Sequence, residues 1–228
     1  MYEWSKTQRI TLMGMFGAII FLLTFTPIGF PQVIPIIGSA TIIHIPVIIG
    51  AILLGPKYGA ALGFLFGLAS MIFASTMSTT LNAFAFTPLR PVPGTDSGSL
   101  WALVIAFVPR ILVGILAPLV FMGLMKVLPK KLEAANLAIA AVVGSMTNTL
   151  LVLHLLYFIF RTPWSYAREV AAAGGADIPY PQITYAFIAS TIGLFGVPEA
   201  IAAAIIVPAV CLALFAVANR MTSRRKNG

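Results

Sequence analysis

Charge is nearly absent from six long apolar stretches, at residues 10–25, 40–54, 58–73, 100–127, 134–160 and 185–218, where Arg110, Lys126 and Glu199 are the exceptions. A helix crosses a bilayer with about 20 apolar residues. Inside hydrocarbon each backbone polar group has to be bonded within its own segment, so such runs fold as helices. Charged residues make up 9% of the chain, against about 25% in a soluble domain. A water-facing surface cannot be covered from that supply. The expected fold is all-α and integral to a membrane: one domain over residues 1–228 with six transmembrane helices. At 228 residues, a twelve-helix carrier or a large extramembrane domain is excluded.

The first stretch follows Lys6 and Arg9, as a signal peptide would. No small-x-small cleavage site comes after it; Thr24, Pro27 and Pro31 do, and a retained helix is expected. The second stretch is short, and Pro46 interrupts it. The last three have length to spare and carry Pro109, Pro118, Pro198 and Pro208, which permits tilt or kinks.

Basic residues set the orientation. With a cytoplasmic amino terminus, the inner side holds Lys6, Arg9, Lys57, Lys126, Lys130, Lys131, Arg220, Arg224, Arg225 and Lys226. The outer side holds Arg90, Arg161 and Arg168, and Arg110 lies within the membrane. This bias follows the positive-inside rule and places both termini in the cytoplasm. The net charge of +8 is thus topological and speaks for anionic lipid; no nucleic-acid partner is expected. The long connections, 27–39, 74–99 and 161–184, all fall outside, where a ligand would be handled. The middle one holds Pro88, Pro91, Pro93 and Gly94 and is expected to be extended and stiff. Trp101, Trp164, Tyr166 and Tyr180 suit an outer aromatic belt.

No phosphate-binding Gly-x-x-x-x-Gly-Lys-Ser/Thr loop, His-Glu-x-x-His or Gly-x-Ser-x-Gly motif occurs, so no catalytic residue is assigned. Cys211 is the one cysteine, and His44 and His154 lie far apart, so no metal site and no cofactor are expected.

Polar groups inside the spans are the most informative. An arginine at mid-helix costs about 2.5–3.5 kcal/mol on insertion scales and should face a partner or a cavity. Arg110 in the fourth stretch and Glu199 in the sixth reach similar depth from the outer side. Two readings stay open: an Arg110–Glu199 ion pair, or Arg110 on an anionic substrate group with Glu199 orienting it or accepting a substrate hydroxyl. On the fifth stretch, Gly144, Thr147, Asn148, Leu151 and His154 share a face by three-and-four spacing. Asn148 and Thr147 can serve amide or hydroxyl groups, or bind a neighbouring helix. His44 is a further candidate, with a structural role favoured. Asn82, Phe84 and Phe86 in the middle outer connection could form a lid.

Small residues form two stripes. Gly55, Gly59, Gly63 and Gly67 recur every fourth residue, which lets another helix approach closely and favours packing inside the protein. Gly14-Met-Phe-Gly17-Ala18 puts Gly14 and Ala18 on one face of the first helix, for a partner subunit or for internal packing.

With these features the chain resembles the S components, the substrate-binding subunits, of energy-coupling factor (ECF) vitamin transporters. Gly14-Met-Phe-Gly17-Ala18 looks like the family's Ala-x-x-x-Ala docking element, with glycine in place of the first alanine. Within the family the chain is most similar to pantothenate-specific members. The matching stretches are Ala40-Thr-Ile-Ile-His-Ile-Pro-Val-Ile-Ile-Gly50, Pro109-Arg-Ile-Leu-Val-Gly114, Gly144-Ser-Met-Thr-Asn-Thr149 and Pro198-Glu-Ala-Ile201. The resemblance implies a multi-pass protein of the bacterial cell membrane. It also implies docking through Gly14, Gly17 and Ala18 on a transmembrane T subunit served by two cytoplasmic ATPases, and toppling in the membrane to carry a vitamin inward. Riboflavin or folate as cargo, or a stand-alone proton-coupled transporter using Glu199, are the alternatives.

Overall fold

The computed structural model describes residues 4–29, 41–78, 83–173 and 185–227, and among these the regular structure is entirely helical. The helices are α1 (Lys6–Thr24), α2 (His44–Leu54), α3 (Pro56–Thr76), α4 (Trp101–Val127), α5 (Glu133–Ala173), α6 (Tyr185–Thr191) and α7 (Val197–Asn227). Among the described residues, α1, α3, α4, the Glu133–Arg161 part of α5 and the run Ile188–Asn219 are long and apolar enough to cross a bilayer. The expected second span is different. α2 has 11 residues and rises about 16 Å, roughly half the hydrocarbon thickness.

α2 is buried on every side and touches α1, α3, α4, α5 and α7. A helix that is apolar all round belongs at the centre of a bundle. Pro46 does not interrupt it. It lies in the first turn, where a helix has no use for the missing N–H. At the other end Gly55 takes φ 93°, a conformation that favours glycine, and Pro56 opens α3 at once.

α1 begins with a capping box, in which Gln8 N donates to Ser5 Oγ and Ser5 N to Gln8 Oε1. Trp4 Nε1 then donates to the Leu53 carbonyl, which ties the start of α1 to the end of α2. The helices alternate in direction. Gly59, Gly63 and Gly67 on α3 face Gly114, Arg110 and Ala106 on α4 in reverse order. Asn136 on α5 reaches Met125 on α4, and Phe215 on α7 meets Phe121. The turns at Gly55 and at Lys130–Leu132 therefore share one end of the bundle, and the long connections share the other.

At the long-connection end two expectations change. Residues 161–173 continue α5 as helix, past a kink at Phe160 with φ −121° and ψ 20°. Pro163 accounts for the kink, because it cannot donate to the Ile159 carbonyl. Trp164 and Tyr166 belong to this extension, and Tyr180 lies outside the described residues. The proline-rich middle connection is compact rather than extended. Gly94 turns at φ 84°, Val92 N donates to Ser97 O, and Thr95 N to Val92 O. Thr87 Oγ1, 2.7 Å from Ser75 Oγ, fastens it to α3.

Candidate functional site

Three helices meet around Gly144. A side chain added there would lie 2.9 Å from Ile48 on α2 and 3.1 Å from Ala117 on α4. One turn nearer the long-connection end, the same register brings His44 on α2 level with Asn148 on α5 and Val113 on α4. One further turn along α4 is Arg110. All of these side chains are buried.

Arg110 is 7% exposed, and its Nη1 donates to the Ile105 carbonyl of its own helix at 2.5 Å. Its Cζ sits over the rings of Phe66, at 5.4 Å, and Phe86, at 5.1 Å. Such cation–π contacts recover about 0.5–2 kcal/mol each. Phe86 comes from a short 3-10 turn, Ala83–Phe86, in the middle connection, so this connection does reach the site. Phe84 does not reach Arg110: it packs edge-on against Phe160, with ring centroids 5.4 Å apart, in a second apolar cluster. Asn82 lies outside the described residues.

The ion pair between Arg110 and Glu199 does not form among the described residues. Glu199 is turned to other donors. Its Oε1 accepts from the backbone N–H of Thr41 at 2.5 Å, and its Oε2 from Thr149 Oγ1 at 3.1 Å. One carboxylate thus ties α7, α5 and the approach to α2 together. A π-helical turn, Ile192–Gly196, precedes it. Pro198 has no N–H for the Leu194 carbonyl, and the wider turn accommodates that loss, with Val197 N donating to Ile192 O instead. Gly196 lets the turn close on Thr149.

Thr147 and His154 are less available than their spacing suggests. Thr147 Oγ1 donates back to the Val143 carbonyl at 2.7 Å. His154 stands against Tyr185 on α6, ring centroids 5.9 Å apart, and its Nδ1 lies 2.6 Å from the Leu150 carbonyl, which makes Nδ1 the protonated nitrogen.

Among the described residues, Thr41 Oγ1, a ring nitrogen of His44, Arg110 Nε and Asn148 Oδ1 are buried without a hydrogen-bond partner. Thr26 Oγ1, Asn136 Oδ1 and Ser145 Oγ are the others. Buried polar atoms are paired in about nine cases of ten. The first four lie around the outer half of α2, where a polar solute could pair with them.

Sequence reasoning overlooked Phe66, Thr41, Thr149 and the Ile105 carbonyl. Phe66 lies three residues after Gly63, beside the stripe that already placed α3 against α4. Thr149 lies one turn from Ser145, on the face toward α7.

The α1 motif divides. Gly17 is buried, with Leu65 Cδ1 3.3 Å from where its side chain would be, so this position packs within the chain. Gly14 and Ala18 are exposed, and nothing lies within 4 Å of a side chain added at Gly14.

The sequence model of the family described as ECF transporter, substrate-specific component, matches residues 8–211. The pantothenic acid transporter PanT of Lactococcus lactis subsp. cremoris (strain MG1363) is 39% identical over 170 residues, 74% of this chain and 83% of that protein. These relatives are transport components, not enzymes, and the apolar helices agree with a multi-pass protein of the bacterial cell membrane. The chain belongs to the substrate-specific components of ECF transporters.

Proposed function

We propose that this chain captures pantothenate from outside the cell as the S component of an ATP-driven importer. The observation that carries the reading is Arg110: a buried guanidinium with no carboxylate beside it among the described residues, in a chain 39% identical to a pantothenic acid transporter. A buried cation without a counterion is complementary to an anionic cargo.

Pantothenate carries one carboxylate, one amide, two hydroxyls and a gem-dimethyl group. Arg110 takes the carboxylate through charge-assisted hydrogen bonds. Asn148 serves the amide or a hydroxyl, with His44 level with it across the site, and apolar walls hold the methyl groups. Thr147 accepts from a hydroxyl while its own hydrogen stays on Val143. Glu199 braces the site through Thr41 and Thr149 and has lone pairs left for a cargo hydroxyl. His154 and Phe84 stand at the rim.

Residues 1–228 act as one membrane domain with both termini in the cytoplasm and the long connections outside. Gly14 and Ala18 form the flat face on which a transmembrane T subunit docks. Two ATPase subunits on other chains supply the energy.

Titration calorimetry of purified protein with pantothenate tests the site. Arg110→Ala is expected to weaken binding about 100-fold or more, since it removes the charge that grips the carboxylate, and Asn148→Ala about tenfold. Unchanged affinity in both variants rejects these assignments.

A further inference from the structure

Pro109 directly precedes Arg110 in α4 and follows Ile105 by four residues. In an uninterrupted helix the Ile105 carbonyl accepts from the N–H of residue 109. Proline has none, so the carbonyl is left outside the helical ladder. Arg110 Nη1 takes it up, at 2.5 Å. One terminal nitrogen of the guanidinium is thereby committed to the protein, while Phe66 and Phe86 hold its plane. Nε is buried and has no partner among the described residues.

A guanidinium can present two forks to a carboxylate: end-on through Nη1 and Nη2, or side-on through Nε and Nη2. With one Nη1 hydrogen given to Ile105 and Nε buried without a partner among the described residues, the side-on fork is the one the protein leaves free. We infer that Pro109 is a positioning residue for the cargo: by freeing the Ile105 carbonyl to hold Nη1, it fixes Arg110 with its Nε–Nη2 edge available to grip a carboxylate side-on. The inference rests on the assignment of Arg110 to the carboxylate of pantothenate, and it concerns specificity. A fixed fork suits two coplanar, negatively charged oxygens. A primary alcohol in the same place offers one neutral oxygen and gains little from the fork. Restoring an N–H at position 109 gives Ile105 back to the helix and lets the guanidinium swing.

The test compares pantothenate with pantothenol, its uncharged alcohol analogue, by titration calorimetry on the full-length wild-type protein, Pro109→Ala, Arg110→Lys and Arg110→Ala. Pro109→Ala places a good helix former in a helix, and a melting curve beside each titration confirms the fold. The expected result is that Pro109→Ala loses about tenfold in pantothenate affinity but less than about threefold for pantothenol, a charge-assisted fork being worth more than a neutral contact. Arg110→Lys keeps the charge without the fork and should show a similar loss of discrimination. Equal losses for both compounds in Pro109→Ala, or no loss for either, overturn the inference. A full acid preference in Arg110→Lys overturns it too. If the wild type takes both compounds equally, or Arg110→Ala keeps the preference, the carboxylate assignment itself fails and this inference falls with it. A preference that Arg110→Ala abolishes and Pro109→Ala keeps defeats the role of Pro109 alone.

Discussion

Gly114 and the side chain of Arg110 lie about one turn apart on α4, yet they meet the rest of the protein in opposite ways. At Gly114 the helix touches α3 backbone to backbone: a side chain on Gly59 or on Gly114 would overlap the other's carbonyl. Small residues permit that approach, and the seam gains dense dispersion contact without exposing any polar side chain. At Arg110 the neighbouring helices leave polar atoms unpaired among the described residues, on Arg110 itself, on His44 and on Asn148. The contrast separates two kinds of buried residue in one helix. The seam is finished by the chain alone and answers to stability. The site is left unfinished and, on the proposed function, answers to binding, at some cost to the empty protein.

The contrast breaks most visibly at the seam. Gly59→Leu forces a branched side chain against the Gly114 carbonyl and Ala51 Cβ. Overpacking costs about 1–3 kcal/mol where neighbours can shift, and backbone shifts less readily than side chains. A loss of about 3 kcal/mol is expected, read as a clear fall in the melting midpoint of the detergent-solubilised protein. The fraction that folds should lose less pantothenate affinity than Arg110→Ala does, because Gly59 itself makes no contact with the proposed cargo. An unaltered melting curve contradicts the close approach of α3 and α4.

Asn148→Leu should do the reverse. The substitution keeps the branching and the heavy-atom count of the side chain, is somewhat bulkier, and removes a buried amide oxygen that has no partner among the described residues. Such an orphan costs about 1–3 kcal/mol, so the empty variant is expected to melt about 1 kcal/mol higher while its pantothenate affinity falls about tenfold. If stability and affinity fall together, Asn148 is part of the scaffold and the division between seam and site is wrong on α5.

The seam was far more legible in the sequence than the site, for a physical reason. Glycines at every fourth position need only helical periodicity to be read as a contact stripe, and Gly59, Gly63 and Gly67 do line the α4 contact. The apolar runs likewise disclosed the helices, because hydrocarbon imposes that outcome on any backbone within it. α2 escaped this logic. Its run is apolar because the helix is surrounded by other helices, and full burial leaves the same mark in composition as lipid does. At the site, residue type announced that Arg110, Asn148 and Glu199 matter but not what they face. Which donors Glu199 meets depends on the turn at Ile192–Gly196 and on where the chain before α2 returns, both tertiary facts. Gly17 shows the converse limit: in a helix that is apolar on every side, sequence spacing does not say which face is outward.

Ser145 carries the smallest expected effect and sharpens the boundary between the two regions. It is fully buried on α5, one turn before Thr149, and its hydroxyl has no partner among the described residues. By register it shares the face that Thr149 turns to Glu199, whereas Asn148 follows Gly144 toward α2 and α4. If the cargo lies between α2, α4 and α5, Ser145 is outside its reach and its hydroxyl is idle. Ser145→Ala should then raise the melting midpoint by an amount worth up to about 1 kcal/mol, since it deletes an unsatisfied group and leaves little space. Pantothenate affinity should stay within about twofold, because no contact with the cargo is lost. A tenfold loss of affinity would place part of the cargo on the α7 side, next to Glu199, and return that carboxylate to direct contact with a substrate hydroxyl.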